Sequence, residues 1–185
     1  MAHPAAHDRP LSVAEYLEME EVSSVKHEYV AGEVYAMTGT TQRHNQIAGN
    51  IFARLWNAAR GGPCRVRMSD VKLRAADDVF YYPDVMVTCD PGDTDRLVVH
   101  SPCLVVEVTS PSTQTVDRRE KIALYKRIPS VRAYLIVDQE RRLVDRHWRD
   151  AEGAWHHAAL LGEGRVPFPC PELTLTLDEI YEGVD

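Results

Sequence analysis

The segment LVVEVTSPST, residues 104–113, constrains the fold more than any other part of the sequence. Its valines and Leu104 form an almost continuous apolar run, which is typical of a strand buried on both faces. Glu107 lies in the middle of that run. Because burying an unpaired carboxylate costs on the order of several kcal/mol, the fold must bring a cation to Glu107.

The composition is that of an ordinary globular protein. The chain has 185 residues, 44% of them hydrophobic and 26% charged, which predicts a single domain over residues 1–185. No apolar run approaches the roughly 20 residues that cross a bilayer. The first residues, MAHPAAHDRPLS, lack the basic start and apolar stretch of a secretory signal. We therefore expect a cytoplasmic protein with no membrane segment.

The cysteines give no metal-binding pattern. They are scattered along the chain and form no C-x-x-C pair, and His156 and His157 are adjacent, so that on a strand they would point to opposite faces. These spacings disfavour a zinc site. They predict free, mostly buried thiols in a reducing compartment at Cys64, Cys89, Cys103 and Cys170.

Charge is unevenly distributed along the chain. The formal net charge is -7, but residues 113–149 hold ten basic and five acidic residues. Residues 60–74 hold five basic residues against Asp70 alone. Two interpretations remain open, namely ordinary solvated faces or a surface that binds a polyanion such as nucleic acid.

Local patterns predict the order of the elements. Ser12 and Glu15 form a capping box that begins a short helix, and a long helix from about Thr41 to Arg60 carries an apolar stripe with His44 on the same side. A hairpin with its turn at Ala76 and Asp77 follows, then the buried strand, a helix and further strands. This order predicts an α/β or α+β fold with a central mixed β-sheet flanked by helices.

Asp84 and Glu107 are the strongest candidate site residues. Pro83 has no amide hydrogen for a sheet ladder and fits a strand start, so Asp84 lies at the entrance of the apolar strand VMV. Two carboxylates on neighbouring buried strands repel each other unless a cation lies between them. Mg²⁺ would satisfy both. The alternatives are a loop-capping acid at Asp84 and an ion pair between Glu107 and an arginine.

The hairpin and the following helix offer further candidates. In the predicted register Asp70 lies opposite Pro83, and Lys72 lies opposite Tyr81. Asp70 and Lys72 then either border the metal site or belong to a cross-strand polar pair on a solvated face. Asp117, Lys121 and Tyr125 share one side of the helix. That side either faces solvent or delivers Lys121 to a reacting phosphate or water.

These residues resemble the metal site of the PD-(D/E)XK nuclease superfamily. The amino-acid sequence as a whole resembles the Uma-two family of restriction-endonuclease-like proteins still more closely. The resemblance covers residues 12–182 and is carried by phrases spread over the whole chain: KHEYVAGEVYAM, HNQIAGNIFARL, CRVRMSDVKLR, YYPDVMVTCD, PCLVVEVTSPST, DRREKIALYKRIPSVRAYLIVDQ and LDEIYE.

The resemblance implies a restriction-endonuclease-like core of a mixed sheet between helices. It implies that Asp84, Glu107 and the backbone carbonyl of Val108 bind Mg²⁺, with Mn²⁺ as an alternative, and that Glu33 contributes an acid from the N-terminal region. It also implies a site lining formed by His44, Asp70, Lys72, Ser110, Asp117 and Tyr125.

One position departs from the superfamily pattern. The motif has lysine two residues after the glutamate, where this chain has Thr109, on the same strand face as Glu107. Relatives of this type move the lysine to the following helix, which implies Lys121. The Asp70-Val71-Lys72 triplet also matches the motif, so Lys72 is a rival source for the lysine.

Together these features predict a metal-dependent endonuclease that hydrolyses phosphodiester bonds in nucleic acid, with DNA as the expected substrate and Asp84, Glu107 and Lys121 as catalytic residues. A homodimer is expected, because cutting a duplex requires a site for each strand. The alternative is a catalytically inactive module of the same fold that binds nucleic acid or protein. The sequence specificity and the strandedness of the substrate do not follow from these residues.

Overall fold

The computed structural model describes residues 9–109 and 120–184. Within these ranges lie the helices α1 (Val13–Val22), α2 (Gln42–Ala59), α3 (Ile122–Tyr125) and α4 (Leu177–Ile180). The strands before α3 are β1 (His27–Val30), β2 (Glu33–Ala36), β3 (Arg65–Met68), β4 (Lys72–Ala76), β5 (Val79–Tyr81), β6 (Val85–Thr88), β7 (Val98–Val99) and β8 (Leu104–Thr109). The strands after it are β9 (Ala133–Asp138), β10 (Leu143–Arg149), β11 (Trp155–Leu161), β12 (Arg165–Pro169) and β13 (Glu172–Thr176).

Side-chain caps fix where the helices begin. The Ser12 hydroxyl accepts a hydrogen bond from the backbone amide of Glu15, and the Glu15 carboxylate accepts one from the backbone amide of Ser12. This reciprocal arrangement is the predicted capping box. The Thr41 hydroxyl caps α2 by accepting from the backbone amide of His44 at 3.1 Å.

A six-stranded mixed sheet forms the centre of the fold, in the order β11-β10-β9-β8-β6-β3. The central strand β8 runs parallel to β9 and antiparallel to β6. All six of its residues are buried, which confirms the strand predicted from the apolar run. The α2 stripe with Ile47, Ile51 and Leu55 packs in the same hydrophobic cluster as Val106 and Val108 of β8.

A second sheet covers the opposite face. Its strand order is β2-β1-β5-β4-β7, and its residues Leu73 and Tyr81 pack in one cluster with Val105 of β8 and Tyr125 of α3. The mixed α+β fold class is therefore as predicted, but the described strands form two large sheets and a β12-β13 pair rather than one central sheet.

The predicted hairpin is present as β4 and β5, with its turn at Asp77 and Asp78, but it is shorter than predicted and its register differs. The chain leaves the six-stranded sheet after β3, passes Ser69 with a φ of +26°, and enters the five-stranded sheet as β4. Ala76 pairs with Val79, and Leu73 rather than Lys72 pairs with Tyr81. Asp70 lies outside the strands and not opposite Pro83, because the alternating pattern continues across a crossover between sheets.

The prediction of free thiols is also wrong. Disulfide bonds join Cys64 to Cys89 and Cys103 to Cys170. Cys64 precedes β3, Cys89 follows β6 and Cys103 precedes β8, and these three strands are neighbours in the sheet. Because sheet order brings the strand ends together, scattered cysteines become adjacent in space.

None of the helices in the described part of the chain is long and apolar enough to cross a membrane.

Candidate active site

Asp84 lies immediately before β6, where that strand approaches β8. Val85 pairs with Val106 in antiparallel register, so Asp84 is placed beside Glu107. The Oδ2 atom of Asp84 accepts a hydrogen bond of 2.7 Å from the backbone amide of Val108. The Nε2 atom of His44, in the first turn of α2, lies 3.2 Å from the same oxygen. Two different elements thus orient this carboxylate.

Glu107 is the buried charge that the sequence singled out, and its side chain is only 6% exposed. Its Oε1 atom lies 3.1 Å from the Lys121 ammonium nitrogen. The same oxygen accepts a hydrogen bond of 3.0 Å from the Tyr125 hydroxyl. Burial raises the pKa of the Tyr125 phenol well above its ordinary value, and the Glu107 carboxylate adds to the rise. Tyr125 is therefore a neutral donor at physiological pH, and Lys121 is the cation that Glu107 meets.

Lys121 also reaches a third carboxylate. Its ammonium nitrogen lies 3.0 Å from Oε1 of Glu28 on β1 and 4.8 Å from the centre of the Tyr81 ring. The lysine side chain is 7% exposed and that of Glu28 is 22% exposed. Lys121 therefore joins α3 to both large sheets at one point.

Glu28 does not stand out in the sequence, where the family resemblance implies Glu33 as the acid from the N-terminal region. Glu33 is exposed at the first residue of β2, and within the described residues no hydrogen bond or ion pair joins it to Asp84, Glu107 or Lys121. Strand alternation could have found Glu28. It shares a strand face with Val30, which packs against the cluster that contains Tyr125.

A buried polar group on the other face of β1 fixes the position of this strand. The Glu20 carboxylate of α1 accepts hydrogen bonds from the Tyr82 hydroxyl at 2.7 Å and from the backbone amide of His27 at 3.0 Å. Its other oxygen lies 3.0 Å from Nδ1 of His27. Since His27 directly precedes Glu28, this group holds Glu28 in place.

The remaining candidates divide between the site and its surroundings. Lys72 is buried, with its ammonium nitrogen 5.8 Å from the Tyr82 ring centre. Asp70 is exposed and forms an ion pair with Lys26. Among the described residues neither makes a hydrogen bond or ion pair with Asp84 or Glu107. Ser110 and Asp117 lie outside the described residues.

Thr109 occupies the place of the superfamily lysine. It is 1% exposed, and its hydroxyl has no hydrogen-bond partner within residues 9–109 and 120–184. It shares the strand face of Glu107. Because the threonine side chain is small, the lysine that reaches Glu107 is Lys121.

Much of the basic segment is committed to contacts within the chain. Arg141 pairs with Asp138, and Arg142 pairs with Asp178. Arg146 and Arg149 donate hydrogen bonds to backbone carbonyls. The count of basic residues in the sequence therefore overstates the positive charge available to a partner.

The chain matches one family model along most of its length. The model is described as Uma2, putative restriction endonuclease, and it covers residues 13–178. An uncharacterized protein of Synechocystis sp. is 36% identical over 187 residues, which cover 100% of this chain and 98% of the relative. A second uncharacterized Synechocystis protein is 31% identical over 157 residues, or 83% of this chain and 89% of the relative.

A crystal structure of similar fold is that of a putative nuclease belonging to DUF820 from Anabaena variabilis. It superposes with a TM-score of 0.76 at 15% identity and covers 93% of this chain and 98% of the other. At this identity the likeness concerns the fold, and it confirms the predicted restriction-endonuclease-like core.

Proposed function

The chain belongs to the Uma2 family of putative restriction endonucleases, and from that premise we propose that it is a Mg²⁺-dependent nuclease that hydrolyses phosphodiester bonds, with DNA as the expected substrate. The observation that carries the proposal is the placement of Asp84, at the start of β6, beside Glu107 on the antiparallel strand β8. Two carboxylates placed together in a poorly hydrated region repel each other, and a cation between them relieves the repulsion.

The donor atoms at this place suit a hard divalent cation. Mg²⁺ prefers carboxylate and carbonyl oxygens and keeps several waters. Asp84 makes both of its side-chain contacts through Oδ2, and its Oδ1 atom has no partner among the described residues. The amide of Val108 points toward Asp84, and the carbonyl of a strand residue points to the same side as its amide. We therefore assign Asp84, Glu107 and the Val108 carbonyl as the protein ligands, with Mn²⁺ as an alternative ion.

The charges of the cluster support the same assignment. Glu107 and Glu28 share one lysine, Lys121, and Asp84 adds a third carboxylate beside Glu107, with His44 as its neighbour. An excess of negative charge in a poorly hydrated site attracts a cation and would otherwise favour protonation of one of the acids. A divalent ion has the charge that balances this excess.

Each side chain has a role that follows from its contacts. When bound, the metal would polarise the scissile phosphate and lower the pKa of a bound water. Lys121 brings a positive charge to the same place and stabilises the negative charge that develops on the phosphate oxygens. Tyr125 holds Glu107, and His44 holds Asp84, in fixed orientations. Glu28 holds Lys121 from the opposite side.

We further propose that the chain acts as a homodimer that presents one site to each strand of a duplex. Exposed basic side chains of residues 60–74, such as Arg60 and Arg65, would contact the phosphate backbone of the nucleic acid. Binding of this kind carries little base information and weakens steeply as salt increases.

One observation favours the alternative of an inactive module that binds nucleic acid or protein. Lys121 is enclosed between Glu107 and Glu28, and the lysine of the motif position is replaced by Thr109. If these ion pairs only fill the core, the carboxylates need no metal.

Metal binding and cleavage decide between the two. Calorimetric titration with Mn²⁺ should give one site per chain, and Asp84→Asn should abolish it. Plasmid and single-stranded DNA should be cut only with Mg²⁺ or Mn²⁺, and Glu107→Gln should remove cleavage. Lys121→Met should lower the rate by about 10²–10³ fold, as removal of a charge-stabilising donor does.

Two matched pairs of variants test the assignments. Glu28→Gln should slow cleavage while Glu33→Gln, on the same hairpin, leaves it unchanged. Lys72→Met should cut like the wild type, and if it alone abolishes cleavage then Lys72 is the working lysine. Absence of metal binding by the intact protein would refute the metal site and favour the inactive module.

A further inference from the structure

The four cysteines meet at the far end of the strands that carry Asp84 and Glu107. The Sγ atoms of Cys89, Cys103 and Cys170 all lie within 4.8 Å of one another. Cys89 and Cys103 belong to different disulfides, yet their sulfurs are 3.5 Å apart. The fourth sulfur, that of Cys64, is bonded to Cys89. The two disulfides are therefore one contiguous group of four sulfur atoms.

The spacing of the Cys89, Cys103 and Cys170 sulfurs approaches that of a tetrathiolate metal site. Zinc holds four thiolates tetrahedrally at Zn–S distances of about 2.3 Å, which places the sulfurs roughly 3.8 Å apart. The contact between Cys89 and Cys103 is close to that value. Once the sulfurs are reduced, Cys64 must turn toward the other three cysteines to complete such a cage.

The surroundings suit a bound soft cation. Cys103 and Cys170 are 8% and 5% exposed, and all four cysteines belong to or pack against the hydrophobic cluster of the six-stranded sheet. Two arginines border the group, since Arg65 donates to the carbonyl of Cys64 and Arg132 to the carbonyl of Pro169. Their charges would offset the dianion that four thiolates and one Zn²⁺ form.

We propose that Cys64, Cys89, Cys103 and Cys170 form a redox-controlled zinc site, with two disulfides in the oxidised chain and a tetrathiolate Zn²⁺ complex in the reduced chain. A dithiol reductant takes each disulfide to two thiols and becomes a disulfide itself. Binding of Zn²⁺ to four thiols then releases four protons. In the reverse direction two molecules of hydrogen peroxide accept four electrons and four protons, which yields two disulfides, four waters and free Zn²⁺.

The proposed zinc site is independent of the nuclease site. Cys103 directly precedes β8 and lies four residues before Glu107, a separation of about 13 Å along an extended chain. The ligands also differ in kind, since thiolates select Zn²⁺ and carboxylates select Mg²⁺. In a reducing compartment, where thiols persist, the zinc form would be the resident one.

Cobalt titration of the reduced protein provides the test, because Co²⁺ in a tetrathiolate cage gives intense thiolate charge-transfer and d–d absorption. We expect the thiolate absorption to saturate at one cage-bound Co²⁺ per chain, to disappear when stoichiometric Zn²⁺ displaces the Co²⁺, and to be lost on oxidation with two equivalents of hydrogen peroxide. Cys170→Ser and Cys64→Ser should each weaken binding by more than the roughly 10- to 100-fold that follows loss of an outer-shell partner.

Glu107→Gln is the control and should leave the cobalt spectrum unchanged, because it alters only the carboxylate site. Reduced protein that gives no thiolate absorption would overturn the proposal. So would binding that is unchanged in Cys64→Ser, which replaces a half-buried cysteine. These readouts do not depend on DNA cleavage, so the zinc site and the nuclease function can fail separately.

Discussion

Replacing Lys121 with methionine tests whether the ion pair at Glu107 holds the core together. Methionine keeps an unbranched side chain against the Tyr81 ring but removes the ammonium group. Glu107, whose side chain is 6% exposed, then keeps the hydrogen bond from Tyr125 and loses its ion pair with Lys121. Removing one partner of a buried ion pair costs about 3–5 kcal/mol. Glu28 is more exposed, so it regains water and adds little to this cost.

We therefore expect the free energy of unfolding at pH 7 to fall by about 3 kcal/mol. The loss should depend on pH, because a proton on Glu107 relieves the buried charge in the folded variant. The folded variant then binds more protons than the unfolded chain, and its stability decreases as pH rises. The deficit relative to wild type should be smaller at pH 5 than at pH 8.

Urea unfolding followed by circular dichroism measures these differences. Adding Glu107→Gln to Lys121→Met should recover part of the loss, with a coupling free energy of about 1–3 kcal/mol between the two positions. Lys126→Met is the control at the other end of the same helix. The Lys126 ammonium nitrogen lies 5.4 Å from the centre of the Trp155 ring, and losing this cation–π contact should lower the free energy of unfolding by about 0.5–1 kcal/mol. A loss below about 1 kcal/mol for Lys121→Met, or equal losses at pH 5 and pH 8, would refute the reasoning.

Two further predictions concern the framework of the site. Burial alone would raise the pKa of Asp138, but hydrogen bonds from Arg141 and from nearby backbone amides outweigh this effect and lower the pKa. Asp138→Asn should therefore destabilise the protein near neutral pH, and the loss should shrink at acid pH, where the wild-type carboxylate is protonated. A loss of stability in urea unfolding that does not depend on pH would contradict this. Asn50→Ala should lower the free energy of unfolding by about 1–3 kcal/mol, because the buried amide donates to the carbonyls of Ile180 and Glu182, whereas the exposed Asn57→Ala control should change little.

Local patterns in the sequence were sufficient for the individual elements. The apolar run around Glu107 predicted a strand buried on both faces, and β8 is one. The capping box at Ser12 predicted the start of α1, and the apolar stripe predicted a helix from about Thr41, where α2 begins. These signals depend on residues a few positions apart, so they survive without knowledge of the tertiary fold.

Features that depend on the order of strands in the sheets could not be predicted from local sequence patterns. The alternating pattern of residues 65–74 is the same whether the strand continues or crosses to a second sheet, and the crossover at Ser69 makes the difference. The pairing of Cys64 with Cys89 follows from the adjacency of β3 and β6. Glu28 meets Lys121 across 93 residues of sequence, and no local spacing encodes that contact.

The replacement of lysine by Thr109 is physically consistent with the position of Lys121. Both Thr109 and Lys121 approach Glu107, one along β8 and the other from the start of α3. Two ammonium groups at this carboxylate would repel each other in a poorly hydrated core, so a lysine at either place disfavours one at the other. The helix position has an added consequence, because Lys121 also binds Glu28 of the five-stranded sheet. A lysine on β8 could act with its own sheet alone, whereas Lys121 is held in position only when both large sheets and α3 are assembled.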